Sequence, residues 1–397
     1  ANTTGSENVA IGRNALDANT TADRNVAVGD GALTSCTTGV GNVCIGHGAG
    51  ESINTGSGNV CIGENAGDGI NATNGKWNVA VGLNALSASM THFQNTAVGQ
   101  NALTANVAHY NSAVGSNCLA SNTSGTGNNG FGYFTLNECT TGDDNVAMGT
   151  AAGRYITSGG GNTLMGNAAG QDITTGSTNT LIGRRTGQNI TTASNNTAMG
   201  VDAMEDATTA ATNTCIGSNA GANLTSGSNN LLLGYAAGKS GSPGGQRTTH
   251  SNRIGLGDGN IQTFSCQVAL SVASDERDKT DFTDLDIGLD FVKQMKPYTY
   301  RWDKRHKYVD WDKNPDTDLD TITHDGTHTE DWLDIGFKAQ DVQILEQAAG
   351  YNKDNNTNLT IDLSDDGKLY SMKYEKLVPI LVKAIQELEA RVATLES

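Results

Sequence analysis

Asn162-Thr163-Leu164-Met165-Gly166 is one copy of the pattern that decides the fold of this chain. The pattern reads Asn-x-x-φ-Gly, where φ is a large apolar residue, and it occurs fourteen times. The interval between copies is 17 residues except between Asn59 and Asn128, where intervals of 19 and 16 also occur. Such a period predicts a β-solenoid in which each repeat forms one coil stacked on the next. The copies begin at Asn8, Asn25, Asn42, Asn59, Asn78, Asn95, Asn111, Asn128, Asn145, Asn162, Asn179, Asn196, Asn213 and Asn230.

Both central positions of the repeat are apolar or small, as in Leu164-Met165. Successive residues of a strand point to opposite faces, so we expect both faces of each strand to be buried. One face can fill its own coil, but a Gly-rich coil is too thin to cover the other. The pattern therefore predicts that neighbouring subunits cover the outer face around a symmetry axis.

Glycine and threonine predict the two turns of each coil. The Gly after φ suits a tight corner or a backbone with positive φ angle. Thr-Thr-Gly or Thr-Ser-Gly is typical of the opposite turn. These tripeptides occur at 37–39, 140–142, 157–159, 174–176 and 225–227.

Composition excludes several classes of partner. The formal net charge of −17 argues against nucleic acid and against anionic membrane surfaces. No run of about 18 apolar residues is present, so no membrane span is predicted. The sequence starts at Ala1 without Met, and we expect a fragment or a processed product. Cys44, Cys61 and Cys215 occupy a small apolar repeat position, which predicts free thiols and assembly in a reducing cytoplasm.

The repeats over residues 1–240 resemble the Asn-x-Val-Ala-Ile-Gly repeats of trimeric bacterial adhesin heads, which are parallel β-rolls, and similar repeats of phage tail fibres. The resemblance implies a mainly β, trimeric β-solenoid or β-roll shaft. Residues 241–273 are expected to form a neck or linker. Within it, 252–257 is a degenerate repeat expected to act as a cap or neck, and 261–272 is a β-rich lead-in.

The segment 274–397 resembles the intramolecular chaperone domain of phage endosialidases, tailspikes and tail fibres, a self-cleaving trimerisation module. The likeness implies an α+β domain that ends in a parallel coiled-coil helix. The matching blocks are Ser274-Asp275-Glu276-Arg277-Asp278-Lys279, Leu289 through Lys296-Pro297-Tyr298-Thr299-Tyr300-Arg301-Trp302, Gly336-Phe337-Lys338-Ala339-Gln340-Asp341, and Tyr370 to the end.

Ser274 and Lys279 are the candidate catalytic residues. On spacing alone the pair is a weak signal, because Ser and Lys fall five apart by chance in most proteins and a solvated charged turn is then the favoured explanation. The resemblance implies that Ser274 is the nucleophile, Lys279 its base, and the bond between Ala273 and Ser274 the cleavage site. Lys279 must be neutral to accept a proton, which requires desolvation or nearby positive charge, and Arg277 is a candidate neighbour. No enzyme acting on an external substrate is evident.

The end of the chain carries a heptad pattern. Apolar residues step alternately by four and three over three heptads, which predicts a parallel coiled coil. A single amphipathic helix on a globular domain is the alternative. The heptad residues are Tyr374, Val378, Leu381, Ile385, Leu388, Val392 and Leu395.

Other patterns predict no cofactor or metal. The acidic stretch 310–320 has carboxylates at alternate positions, but Pro315 interrupts it and a solvated loop is expected. His306, His324 and His328 are not at zinc-ligand spacing with any Cys. The threonine series from Thr163 to Thr214 could form an ice-binding or glycan-binding flat face, but it alternates with Val and Leu, as a structural ladder does.

These observations favour a phage tail fibre or tailspike segment whose C-terminal domain directs trimerisation and then cleaves itself off before Ser274. Its expected partners are two further copies, other phage tail proteins and a host receptor, either a glycan or an outer-membrane component. It would be assembled in the host cytoplasm and reside in the virion. A bacterial trimeric surface adhesin is the first alternative, and an accessory part of a glycan-degrading tailspike is the second.

Overall fold

The computed structural model describes residues 2–70, 75–88, 93–240, 242, 244–261, 263–267, 272–310, 314, 317–352, 357–364 and 367–397. The chain forms two compact units. The first contains Ala1–Lys239 and Arg247–Leu256, and the second contains Ser240–Gln246 and Gly257–Ser397.

The first unit is a parallel β-solenoid, as the repeat predicts. Each copy of the pattern forms a three-residue strand directly after its Asn, and the degenerate repeat at 252–257 supplies one more. In the described part of the chain, fifteen strands pair in sequence order, each in register with the next. They are β1 Val9–Ile11, β2 Val26–Val28, β3 Val43–Ile45, β4 Val60–Ile62, β5 Val79–Val81, β6 Thr96–Val98, β7 Ser112–Val114, β8 Asn129–Phe131, β9 Val146–Met148, β10 Thr163–Met165, β11 Thr180–Ile182, β12 Thr197–Met199, β13 Thr214–Ile216, β14 Leu231–Leu233 and β15 Ile254–Leu256.

Only the middle residue of each strand points into the coil. Ala27, Cys44 and Leu164 occupy this position and have no exposed surface. The φ residue faces outward, so Met165 remains 39% exposed. The expectation that both faces are buried is therefore met on the inner face only, and within one chain the outer face is open to solvent.

A buried ladder of Asn side chains joins successive coils. The side-chain oxygen of Asn145 accepts hydrogen bonds from the backbone N–H and the side-chain amide of Asn162, at 3.1 and 3.0 Å. The same amide donates to the carbonyl of Gly176 in the opposite turn at 3.0 Å. In the next coil, the backbone N–H and the side-chain amide of Asn179 donate in the same way to the side-chain oxygen of Asn162. Because an unpaired buried polar group costs about 1–3 kcal/mol, each Asn stabilises three segments of chain at once.

The Gly after φ is required by both its backbone and its surroundings. Gly166 has a φ angle of 136°, and a Cβ there would collide with the carbonyl oxygen of Gly183 in the next coil. A residue with a side chain would therefore force the coils apart. This confirms the corner predicted at this position.

Two core positions of the coil compensate for each other in volume. One coil fills its centre with Leu33 and Cys36, whereas the next uses Gly50 and Ile53 at the corresponding positions. A Cβ on Gly50 would lie 2.6 Å from the Cys44 sulfur and 2.9 Å from Cδ1 of Ile53. The isoleucine therefore occupies the space that a leucine takes in the preceding coil, which keeps the packing dense.

The cysteines behave as small apolar core residues, as predicted. All seven are free thiols, and Cys266 is the exposed one. Burial raises the pKa of Cys118, Cys139 and Cys215 to about 12. Since the thiolate is the reactive form, these buried thiols are chemically inert in the folded protein.

The second unit is a small mixed domain. Its core contains Ile287, Phe291, Val342, Ile361, Leu377 and Ile380. Within its described residues, two antiparallel pairs, β16 with β17 and β18 with β19, lie among three α-helices. The elements are α1 Leu289–Val292, β16 Tyr298–Tyr300, β17 Asp334–Gly336, α2 Ala339–Ala348, β18 Ile361–Leu363, β19 Tyr370–Met372 and α3 Leu377–Glu396, with 3₁₀ turns at Glu276–Asp278, Arg305–Tyr308, Leu319–Thr321 and Tyr374–Lys376.

Two sequence expectations, a β-rich lead-in at 261–272 and a solvated loop at 310–320, are not confirmed by the structure. The predicted β-rich lead-in at 261–272 contains no strand among its described residues, 261, 263–267 and 272. A strand needs a hydrogen-bonded neighbour, and these residues pair with none of the named strands. In the acidic stretch 310–320, residues 311–313 and 315–316 lie outside the described residues.

We predict that the core volumes of one coil can be exchanged for those of its neighbour. Gly50→Leu alone overpacks the coil and should destabilise the protein by about 1–3 kcal/mol. The triple variant Cys44→Ala, Gly50→Leu and Ile53→Cys reproduces the core of the preceding coil, so it should recover most of that loss. Unfolding rates in guanidinium measure both. Equal destabilisation of the single and triple variants would contradict the volume argument.

Candidate autocleavage site and assembly surfaces

A single 3₁₀ turn brings Ser274 and Lys279 together. The turn spans Glu276–Asp278, and the backbone N–H of Lys279 donates to the Glu276 carbonyl at its end. The side-chain amine of Lys279 lies 2.5 Å from Oγ of Ser274 and 3.4 Å from the Ser274 carbonyl oxygen. The two residue types singled out by sequence are therefore in direct contact.

Asp275 and Arg277 order this turn. The Asp275 carboxylate accepts the backbone N–H of Arg277 at 3.0 Å, as an N-terminal cap does. It also forms a two-armed ion pair with the Arg277 guanidinium, at 3.0 and 2.6 Å. These hydrogen bonds lower the pKa of Asp275. The positive charge of Arg277 is thus compensated by Asp275. The contacts of the Arg277 guanidinium described here are with Asp275 and not with Lys279, on which the sequence analysis expected it to act.

The pair has the geometry of an amine and a hydroxyl that can exchange a proton. Both residues are exposed in the single chain. Ser274 carries its hydroxyl one residue beyond the Ala273 carbonyl, so attack on that carbonyl needs no second segment of chain.

The other sequence blocks singled out in this domain lie close together. Strand β16, Tyr298–Tyr300, pairs with β17. Helix α2 begins at Ala339, three residues after β17 ends at Gly336. A Cβ on Gly336 would collide with the Tyr374 hydroxyl, which accepts the backbone N–H of Phe337 at 3.3 Å. Lys338 places its amine 4.8 Å from the centre of the Tyr298 ring. The blocks thus form one packed region around two tyrosines.

A buried carboxylate fixes the loop before β18. Glu346 on α2 is 1% exposed and accepts the backbone N–H groups of Leu359 and Thr360, at 3.2 and 2.7 Å. It also accepts the Thr360 hydroxyl. A buried charge with three donors is satisfied, so we assign it a structural role. The sequence pattern did not single it out.

Helix α3 has two apolar faces, and only one of them is covered. Leu377, Ile380 and Ala384 are buried in the domain core. Glu387 secures the helix further, because its carboxylate accepts the Leu289 backbone N–H at 2.8 Å at the start of α1. The heptad residues lie on the other face, and Ile385 is 65% exposed. All seven heptad residues predicted from sequence are exposed: Tyr374, Val378, Leu381, Ile385, Leu388, Val392 and Leu395.

The outer face of the solenoid is a second exposed apolar surface. The outward residues of the strands form an unbroken stack, since every strand pairs in register with the next. Its exposed members include Ile45, Ile62, Phe131, Met148, Met165, Met199 and Ile216. Exposed apolar surface on this scale marks an interaction site on a protein.

His324 and His328 lie in a polar cluster around Tyr308. His324 Nδ1 is 3.1 Å from an Asp303 oxygen, and the Tyr308 hydroxyl donates to the same carboxylate at 2.9 Å. The His328 ring packs edge-on against Tyr308, with ring centres 4.6 Å apart. Within the described ranges, no group of three or more His, Cys, Asp or Glu side chains has the arrangement of a metal site. Among the described residues, no helix combines the length and the apolarity that a membrane crossing needs.

Comparison with known proteins places the C-terminal unit in context. Residues 274–351 match the family model described as chaperone of endosialidase, which is about a fifth of the chain. The matched range begins at Ser274 and ends after α2, so β18, β19 and α3 lie beyond it. No curated protein matches the chain. A solenoid of 17-residue repeats followed by a region of this kind supports a trimeric fibre with a C-terminal chaperone.

Proposed function

We propose that the chain is a segment of a homotrimeric phage tail fibre or tailspike. Residues 1–240 form the shaft and 241–273 the neck, which adds the last strand of the solenoid sheet, β15. Residues 274–397 form a domain that aligns three chains and then cleaves itself off before Ser274. The observation that carries the proposal is the 2.5 Å contact between the Lys279 amine and the Ser274 hydroxyl, at the start of the region that matches chaperone of endosialidase.

The cleavage step needs only atoms of the chain and one water. The neutral Lys279 amine takes the Ser274 hydroxyl proton, and Oγ attacks the Ala273 carbonyl carbon. The Ala273–Ser274 amide bond breaks, the Ser274 nitrogen takes a proton, and an ester joins Ala273 to Ser274 Oγ. Water then hydrolyses the ester to an Ala273 carboxylate and a free Ser274 hydroxyl. Each chain therefore reacts once.

Two exposed apolar surfaces support assembly with two further copies of the same chain. The heptad face of α3 has the spacing of a coiled coil, and its residues from Val378 to Leu395 are exposed in the single chain. The outer face of the solenoid repeats along the sheet, and an identical surface on another copy matches its spacing coil for coil. The regular outer face of the solenoid and the heptad face of α3 therefore both favour association with copies of the same chain over association with a different protein.

The repetitive shaft can assemble in the wrong register, and a separate alignment domain prevents this. Coils with nearly the same sequence can pair one coil out of step with little loss of free energy, because each new neighbour resembles the correct one. Such misaligned forms are kinetic traps. A domain without repeats has one way to associate, so its assembly can set the register before the coils pair. Host adhesion through the shaft completes the proposed role.

We predict that the heptad face of α3 is needed for assembly. Light scattering on the uncleaved Ser274→Ala chain, in which the variants below are also made, should give about three times the chain mass of 41.2 kDa. Ile385→Asp places a charge in the buried seam of the coiled coil and should reduce the mass to that of one chain. Gln386→Asp, at the next exposed position of the helix, is the matched control and should stay trimeric. A monomeric Ser274→Ala chain contradicts the proposal.

We predict cleavage before Ser274 without added protease. The products should be a shaft that ends at Ala273 and a fragment that begins at Ser274, identified by intact mass and N-terminal sequencing. Ser274→Ala removes the nucleophile and Lys279→Ala the base, so each should stay intact and still form trimers. Cleavage of Ser274→Ala at the same bond would assign the cut to a contaminating protease.

We predict that the C-terminal domain is needed for folding but not for maintaining the fold. Mature residues 1–273 should keep their trimer, because the Asn ladder and coil core are complete in the shaft. After denaturation, only the uncleaved Ser274→Ala chain should recover trimer in good yield, since the shaft alone has lost its alignment domain. Equal recovery of trimer from both forms would refute a chaperone role.

A further inference from the structure

An aromatic patch interrupts the small and polar surface of the solenoid. Seven of the eight aromatic residues in 1–256 fall between residues 77 and 155. Trp77 and Tyr110 both occupy the corner that precedes the ladder Asn, two coils apart. Nearby coils place Gly41, Gly58 and Gly127 at the same corner. The aromatic residues are therefore a local departure from the repeat.

The aromatic residues stand at a corner whose backbone is left-handed in the other coils as well, as at Gly58 and Gln94. Trp77 and Tyr110 have φ angles of 56° and 61°, in the left-handed region that glycine adopts without penalty. A residue with a side chain there costs on the order of 1 kcal/mol. Gln94, at the same corner of the coil between them, has a φ angle of 58°, so this cost belongs to the repeat, and the aromatic side chains are what distinguish the two coils.

Neighbouring groups hold the rings in place with one side open. The Trp77 indole rests on the previous coil, where a Cβ on Gly58 would lie 2.9 Å from its Cδ1 atom. Phe93 packs against His109 and Tyr110, with ring centres 4.4 and 5.5 Å apart. The Phe93 backbone N–H donates to Nδ1 of His109 at 3.4 Å. Trp77 is nevertheless 62% and Tyr110 54% exposed.

We propose that Trp77, Phe93, His109 and Tyr110 form a binding platform for a saccharide chain. Aromatic faces carry negative charge density and attract the partly positive C–H groups of a sugar ring. Gln94 is exposed on the coil between Trp77 and Tyr110, and it can hydrogen-bond sugar hydroxyls. Two coil spacings separate the outer rings by about 10 Å, which suits at least two linked sugars.

Charge also distinguishes this part of the shaft. No Asp or Glu occurs between Asp68 and Glu138, although the chain carries a net charge of −17. Lys76 is the one Lys or Arg in this interval. The platform therefore repels neither neutral nor carboxylate-bearing saccharides. The choice of a saccharide as the ligand rests on the proposed role in host adhesion. Binding at the platform does not depend on cleavage before Ser274.

Binding of the full chain to a printed array of neutral and carboxylate-bearing oligosaccharides tests the platform. Trp77→Gly and Tyr110→Gly restore the residue that neighbouring coils use, so the fold should survive. Each should weaken binding about tenfold or more. Tyr110→Phe keeps the ring and should bind within about threefold of wild type. Tyr235→Ala removes an exposed aromatic residue on a distant coil and should bind as wild type does.

Three outcomes would overturn the inference: no bound saccharide for the wild type, wild-type binding by both glycine variants, or equal loss in Tyr235→Ala. Light scattering on the same samples gives the trimer mass. Loss of the trimer in the glycine variants alone would assign the rings to contacts between subunits and would also overturn it. Trimer mass and cleavage of the wild type report separately on the proposed function.

Discussion

The buried Asn ladder is the interaction on which the solenoid depends. Each Asn carboxamide bonds the backbone of the next coil through its oxygen and the opposite turn through its nitrogen. An apolar residue here would leave buried donors and acceptors unpaired on two coils, at about 1–3 kcal/mol for each group. The side chain is too short to reach a coil that is out of place, so the ladder fixes the spacing of the whole stack.

Uniform spacing has a consequence for assembly. Since every strand presents an apolar outer residue at the same height in its coil, the outer face is regular as well as open. Regularity favours association of identical chains but distinguishes poorly between correct and shifted registers. Helix α3 differs in this respect, because its heptads end after three repeats and offer a single well-matched alignment. In the proposed trimer, the stability of the shaft and the specificity of its assembly would therefore lie in different parts of the chain.

The sequence predicted the positions of fourteen of the fifteen described solenoid strands, because the Asn-x-x-φ-Gly pattern has a direct structural cause in the ladder and the glycine corner. The fifteenth, Ile254–Leu256, lies in the segment assigned to the neck. The sequence did not reveal which apolar position faces inward, since Leu164 and Met165 look equally suited to a core. The exchange between Leu33–Cys36 and Gly50–Ile53 was also hidden, because it is visible only when two coils are compared in volume. In the second unit, the sequence singled out Ser274 and Lys279, but the turn that joins them depends on Asp275, whose capping role becomes visible only in the fold.

The irregular coils show where the shaft tolerates change. The intervals of 19 and 16 residues lie between Asn59 and Asn111, yet the ladder continues through them: Asn78 and Asn111 each donate a backbone N–H to the preceding ladder oxygen at 3.0 Å. Extra or missing residues are therefore absorbed away from the strand, and the core is unaffected. The aromatic corner residues Trp77 and Tyr110 occur in this same region. A scaffold held by one inner ladder can vary its corners without losing register, which is what a binding surface on a repetitive shaft requires.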